Sequence, residues 1–299
     1  MTSSLSPDLA IPRYTTLIDP ATLSARIVAD VASLLIIDCR ADLSDPEAGA
    51  RAFAERHLPG AHHLSLESDL SGPKTPGSGR HPLPDRDTLA ATLARLGMQT
   101  TTQVIAYDAQ GGMYAARLWW LLRWLGHDAV AVLDGGLPAW ESHGGLAEFS
   151  APRPTTPGNF VAGVPLVSVV DTATVLANVE DDARLVVDAR AADRYRGENE
   201  DRDPIAGHIP GARNRFFKDN LDEKGQFHSP DVLRSAFTTV LDGTPPSQVI
   251  VQCGSGVTAC HNLLALEVAG LPGAALYAGS WSEWVADASR PIATGASPR

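Results

Sequence analysis

Apolar residues in this chain gather into short β-branched or aliphatic runs, separated by longer segments whose apolar positions recur at helical spacing. Leu35-Ile36-Ile37, Val104-Ile105-Ala106, Leu185-Val186-Val187 and Val249-Ile250-Val251 each end in polar residues or a turn and predict buried strands. Thr258 to Glu267 predicts a helix that starts in the loop before it, and Leu118 to Leu125, with tryptophans at 119, 120 and 124, predicts a buried one. That aromatic block falls far short of the roughly 20 apolar residues needed to span a bilayer. Strands taking turns with helices predict an α/β architecture with a mostly parallel sheet flanked by helices.

The pattern occurs twice. Leu35-Ile36-Ile37-Asp38-Cys39-Arg40 is followed by His57-Leu58-Pro59-Gly60-Ala61, and Leu185-Val186-Val187-Asp188-Ala189-Arg190 by His208-Ile209-Pro210-Gly211-Ala212. Val104-Ile105-Ala106-Tyr107-Asp108 aligns with Val249-Ile250-Val251-Gln252-Cys253, and Gly135-Gly136 with Gly279-Ser280. The 299 residues therefore divide into residues 1–150, a linker over 151–165 rich in proline and glycine, and residues 166–299.

Composition narrows the class. With 44% hydrophobic and 20% charged residues the chain is an ordinary globular one, and its net charge of -11 disfavours nonspecific binding to nucleic acid or anionic membranes. Three cysteines, with no Cys-x-x-Cys among them, make no disulfide framework and fit a reducing compartment. The first eight residues carry no basic region or apolar stretch of a secretory signal, so a cytoplasmic location is expected.

One cysteine stands apart. Cys253 follows a buried strand, and Gly254 and Gly256 let the backbone curl around its sulfur before the helix that starts at Thr258. Backbone N–H groups from Gly254 to Thr258 and the positive end of the helix dipole would stabilise a thiolate there. The first copy has Asp108 at this position, so it is expected to be catalytically silent, with one site per chain in a cleft between the domains. A cysteine phosphatase would place an arginine six residues after the nucleophile to hold phosphate, and that position is Ala259.

These motifs resemble the rhodanese family of sulfurtransferases in its tandem two-domain form: the Asp-x-Arg after a strand, His-x-Pro-Gly-Ala in both halves, Asp for Cys in the first, and the loop Cys253 to Thr258. The fold implied is two rhodanese-like domains. Thiosulfate-using members carry basic side chains after the cysteine, whereas Cys253-Gly254-Ser255-Gly256-Val257-Thr258 resembles the 3-mercaptopyruvate branch. Neither Gly254 nor Ser255 supplies charge. The resemblance implies that Arg194 and Arg202 hold the substrate carboxylate, with Gly254, Gly256, Val257 and Thr258 binding the transferred sulfur. It also implies a relay from Ser255 through His81 to an acid, Glu67 or Asp69.

The expected reaction moves sulfur from 3-mercaptopyruvate to Cys253 as a persulfide, releases pyruvate, and passes the sulfur to cyanide or a thiol acceptor such as thioredoxin. No metal or organic cofactor is required. Alternatives are thiosulfate as donor, and a noncatalytic sulfur carrier, which would have no need of a carboxylate clamp. Other chemistry-bearing residues read as structural. His57 and His208 occupy the same frame in both halves although only one half has the nucleophile. Cys39 matches Ala189, Cys260 lies on the helix after the loop, and the adjacent His62 and His63 lack further ligands for a metal.

Overall fold

The computed structural model describes residues 12–149 and 156–297. The first eight residues, and positions 151–155 of the linker, lie outside that set. Among the described residues ten strands form two five-stranded sheets. The first holds β1 (Leu17–Ile18), β2 (Leu34–Asp38), β3 (His62–His63), β4 (Gln103–Tyr107) and β5 (Val130–Leu133). The second holds β6 (Ser168–Val170), β7 (Leu185–Asp188), β8 (Arg213–Asn214), β9 (Val249–Gln252) and β10 (Ala275–Tyr277).

Their orders are β1-β5-β4-β2-β3 and β6-β10-β9-β7-β8, the same path traced twice, and every strand pair is parallel. The central strands β4 and β9 are buried at every residue, which is why each reads as a continuous apolar run and not as an alternation. Chain direction across the sheet reverses between β2 and β4 and between β7 and β9. In open parallel sheets that switch point opens a crevice at the carboxyl ends of the strands. Asp108 and Cys253 are the residues that β4 and β9 deliver there.

The two domains share a core. The helix Ala115–Trp124, after the Asp108 loop, packs against the helix Thr258–Val268, after the Cys253 loop. Both are apolar around most of their circumference, and residues Ala115 to Leu122 and Ala259 to Leu266 are buried. A helix apolar all round must be covered on every side. Each is covered by its own sheet and by its counterpart in the other domain, so one hydrophobic cluster runs through both. The described part of the linker is also tied down: the N–H groups of Gly158, Phe160 and Gly163 donate to the carbonyls of Ala94, Met98 and Leu125.

Both Asp-x-Arg motifs serve the fold. Arg40 grips Asp38 with two nitrogens and Arg190 grips Asp188 likewise, at closest distances of 2.6 and 2.7 Å. Each arginine then donates to a carbonyl of the segment before the paired histidine motif, Arg56 in one half and Gly207 in the other. His57 and His208 lie stacked on Phe53 and Tyr195, each with Nδ1 2.8 Å from a carbonyl. Their roles are duplicated and structural.

Candidate active site

The sulfur of Cys253 sits at the end of β9, only 1% of the residue being exposed. Gly256 N–H donates to Sγ at 3.2 Å, and is the one loop N–H among the described residues that reaches the resting sulfur. Gly256 adopts φ +79°, and a Cβ there would collide with the Ala278 carbonyl, so glycine is what allows the loop to fold back. Val257 is buried and precedes the helix, and Thr258 is its first residue. Neither places its N–H on the resting sulfur.

Asp108 shows what such a loop can hold. Its buried carboxylate accepts four backbone hydrogen bonds of 2.8 to 3.0 Å, from Gln110, Gly112, Tyr114 and Ala115. Burial pushes its carboxyl pKa up against the pull of these donors. The first domain thus carries, as a fixed side chain, a carboxyl group cradled by a loop and the start of a helix.

Ser255 and His81 come from different domains and meet at 2.7 Å between Oγ and Nδ1. His81 Nε2 lies 2.8 Å from Glu67 Oε1, and Lys74 Nζ donates to Glu67 Oε2 at 2.7 Å. Burial holds the His81 pKa down at about 4, although its contact with Glu67 pulls the other way. Burial also acts to raise the Glu67 carboxyl, but Lys74 and His81 outweigh it and leave its pKa below the ordinary value. A neutral imidazole facing an ionised carboxylate carries its proton on Nε2. Nδ1 is then the acceptor, and Ser255 O–H donates to it.

Asp69 is not part of this chain. Its carboxylate accepts from Ser65 N–H at 2.8 Å and lies 3.3 Å from Ser68 Oγ, closing the turn that presents Glu67. Of the two acids it is Glu67 that faces His81.

Arg194 and Arg202 separate as well. Arg194, on the short helix Ala192–Arg196, brings its guanidinium to Gly254; a Cβ on Gly254 would lie 3.6 and 3.7 Å from Nη1 and Nη2. Arg194 is held by Glu200, at 2.6 Å, and by Asp203, at 3.4 Å. The Arg202 side chain is 39% exposed and reaches Asp201 only at 3.8 Å, its charge acting instead on Asp42 and Tyr114 of the first domain. The atoms nearest a Cβ on Gly254 belong to Arg80 and Arg194, not to Arg202.

Three residues escaped the sequence reading. Arg80 places Nη2 3.0 Å from the same Cβ position on Gly254 and forms an ion pair with Asp203. Arg117, fully buried on the helix Ala115–Trp124, donates to the carbonyls of Gly256, at 3.0 Å, and His81, at 3.1 Å, tying the two loops together. Burial pulls its pKa down, with the Cys260 thiol beside it acting the other way. Ser280, at φ +56°, accepts from Cys253 N–H at 3.1 Å through Oγ. Only the identity of Arg80, adjacent to His81, offered a signal.

A cleft of about 520 Å³ is lined by Arg184, Leu185, Arg213 and Gln248 at the amino ends of β7 and β9, the opposite end of the sheet from Cys253. Near the Cys253 loop the side chains of Arg80, Arg194, Glu200 and Asp203 pair with one another. No group of three or more His, Cys, Asp or Glu side chains among the described residues is arranged to hold a metal. No helix among them is long and apolar enough to cross a membrane.

The model of the rhodanese-like domain matches residues 19–143 and again 171–287. This chain belongs to the rhodanese family. A rhodanese-family relative from Pseudomonas aeruginosa, a probable 3-mercaptopyruvate sulfurtransferase, is 49% identical over 88% of this chain and 93% of its own length. A putative thiosulfate sulfurtransferase, SseB of Mycobacterium tuberculosis, is 38% identical over 87% of this chain and 90% of its own. Among solved structures, the 3-mercaptopyruvate enzyme SseA from Escherichia coli superposes with a TM-score of 0.77 at 32% identity, covering 90% of this chain and all of that one. As a member of this family the chain is a sulfurtransferase enzyme built from two rhodanese domains.

Proposed function

We propose that this rhodanese-family sulfurtransferase takes sulfur from 3-mercaptopyruvate onto Cys253 and releases pyruvate. The observation that carries the reading is the Ser255–His81–Glu67 chain beside the nucleophile. Thiosulfate leaves as sulfite and needs no proton on carbon. Mercaptopyruvate leaves as an enolate, which does, and a proton relay next to the sulfur answers that need.

The Cys253 thiolate attacks the donor sulfur as the carbon–sulfur bond breaks, and that bond's electron pair passes into the enolate of pyruvate. The donor's thiol proton passes through Ser255 to His81 Nδ1 and returns to the methylene carbon, completing the methyl group of pyruvate. Glu67 stabilises the transient imidazolium. The terminal persulfide sulfur keeps the negative charge that began on Cys253, and the loop from Gly254 to Thr258 receives it as the other loop receives the Asp108 carboxylate. A thiol acceptor such as thioredoxin, or cyanide, then removes the sulfur, and a cytoplasmic location suits a free reactive thiol.

Steady-state rates with 3-mercaptopyruvate and thiosulfate test the assignment. We expect a higher kcat/KM for mercaptopyruvate, with no turnover of either donor by Cys253→Ser; a clear preference for thiosulfate overturns the donor. A second reading, thiosulfate as donor, draws support from Arg80 and Arg194, which surround the uncharged Gly254 with positive charge. A noncatalytic carrier would show persulfide on Cys253 without catalytic release of pyruvate.

A further inference from the structure

The helix Ala115–Trp124 of the first domain carries a guanidinium to the second domain's Cys253 loop. Arg117, fully buried, donates to the carbonyls of Gly256 at 3.0 Å, His81 at 3.1 Å, Pro82 at 3.3 Å and Leu70 at 3.4 Å. Cys260, on the helix after the loop, also bonds it and donates through Sγ to the same Gly256 carbonyl at 3.3 Å. Gly256 is the residue whose N–H reaches the Cys253 sulfur. One residue thus joins the buried cation to the nucleophile, its carbonyl taking the guanidinium and its N–H the sulfur.

Its neighbours among the arginines all have acids. Arg40 and Arg190, also buried, each grip an aspartate, and Arg80 and Arg194 near Gly254 share Glu200 and Asp203. Among the described residues no carboxylate pairs with Arg117, and the ionisable groups whose charge acts on it are the thiols of Cys260 and Cys253. A buried cation without a counter-charge is costly, because carbonyl dipoles return only part of the hydration that burial removes. Burial pushes the Cys260 pKa up to about 12, so that thiol stays protonated at neutral pH. Burial also holds His81 at about 4, so the imidazole stays neutral, with Glu67 and Lys74 paired behind it. Cys253 is left as the group that can supply the anion.

We propose that Arg117 is a positioning residue and the counter-ion of the reacting sulfur: from within the domain interface its charge favours the Cys253 thiolate, and its grip on Gly256 holds the N–H that bonds that sulfur. The inference rests on Cys253 as the nucleophile in the reading above and is independent of the donor. The charge is needed throughout the cycle. Thiolate and persulfide each carry one negative charge, so sulfur transfer moves the anion outward by one sulfur without changing the net charge that the guanidinium faces. The first domain then contributes to the nucleophile itself, through the helix that follows Asp108.

The test follows alkylation of Cys253 by iodoacetamide against pH in the unaltered enzyme, Arg117→Lys and Arg117→Gln, read by mass spectrometry on the peptide that carries Cys253. Arg117→Gln is expected to raise the midpoint by about one pH unit or more, the effect of losing an opposite charge close to the thiol. Alkylation at pH 7 should slow about 10-fold with it. Arg117→Lys keeps the charge but loses the planar fork that reaches several carbonyls, so its midpoint should stay within about half a pH unit while its Tm falls. An unchanged midpoint in Arg117→Gln would overturn the proposal, and so would equal rises in both variants, which would show that only the carbonyl bonds matter. If Arg117→Gln does not fold, citrulline at position 117, planar like arginine but uncharged, gives the same reading. Turnover retained by Cys253→Ser would instead remove Cys253 as the nucleophile, a failure of the reading above that is distinct from a failure of the counter-ion.

Discussion

Ser255 Oγ and His81 Nδ1 lie 2.7 Å apart across the domain boundary, although 174 positions separate them in the chain. The first domain has Asp108 where the second has Cys253, yet it supplies His81 to the cluster beside Cys253. If the Ser255–His81–Glu67 chain moves the proton that pyruvate gains, Ser255→Ala, His81→Gln and Glu67→Gln should each lower kcat with 3-mercaptopyruvate, by roughly 100-fold for His81. The double variant of Ser255 and His81 should lose little more than the worse single one, because the groups act as a unit. Asp69→Asn should leave kcat within about twofold, since its contacts stop at the turn. Rapid-quench measurement of pyruvate release separates this step from sulfur acceptance.

The protonation state of His81 gives a pH test. Its nitrogen must be free to accept a proton, so kcat/KM for mercaptopyruvate should fall on the acid side with a midpoint near the His81 pKa of about 4. Lys74 lowers that pKa through its charge, and Glu67 raises it. Lys74→Met should therefore move the acid limb to higher pH, and Glu67→Gln should move it to lower pH. Opposite displacements in a pH–rate series are the expected result; equal displacements would remove His81 as the titrating group.

The domain repeat, both sheets and the loop that carries Cys253 were legible because each is written locally: a β-branched run, a turn, a helix start. Ser255 and His81 were legible through the motifs that carry them, and Glu67 only as one of two acids. Arg117 and Arg80 were not. Each acts on a backbone segment of the opposite domain, Arg117 on the Gly256 carbonyl 139 positions away, and nothing in local spacing says which side chain will face across. The choice between Glu67 and Asp69 was closed to the sequence for a different reason: both sit on one turn, and only the turn's own hydrogen bonds to Asp69 decide which acid is free.

Arg194 and Arg202 should behave unequally. Arg194→Met removes a guanidinium next to Gly254 and also strips partners from buried Glu200 and Asp203, so KM for mercaptopyruvate should rise by about 10-fold or more and stability should fall. Arg202, whose exposed guanidinium lacks a close partner, should give a smaller rise in KM and little change in Tm on conversion to Met. Comparing the two variants under identical salt checks the order.

Acid should destabilise the fold through its buried histidines. Burial holds both His81 and His261 at about 4, well below their ordinary value of 6.5. Between those pH values the unfolded chain binds protons that the folded chain does not, so stability is fully present above about 6.5 and is lost as pH falls toward 4. A single histidine shifted this far accounts for roughly 3 kcal/mol across the window. His261, which bonds the Gly111 carbonyl at 3.0 Å and sits away from the relay, isolates the effect. His261→Gln should be less stable at pH 7 but show a shallower dependence of denaturation midpoint on pH between 7 and 4.5.

Ser280 offers a way to separate the fold from the chemistry. The aligned position in the first domain is Gly136, at φ +58°, and Ser280 adopts nearly the same backbone at φ +56°. A serine there is strained by about 1 kcal/mol relative to glycine. In exchange its hydroxyl accepts from Cys253 N–H and donates to the Tyr277 carbonyl at 2.9 Å. Ser280→Gly relieves the strain but leaves the Cys253 N–H, buried at the root of the nucleophile, without its acceptor, a loss of similar size. The two effects offset, so Tm should stay within a few degrees while the rate of persulfide formation falls several-fold, because Cys253 is no longer anchored beneath its sulfur. Ser280→Ala keeps the strain and loses the hydroxyl, and should be the less stable of the two with a comparable loss of rate. If Ser280→Gly instead retained full activity, the hydroxyl would be a structural bond and nothing more.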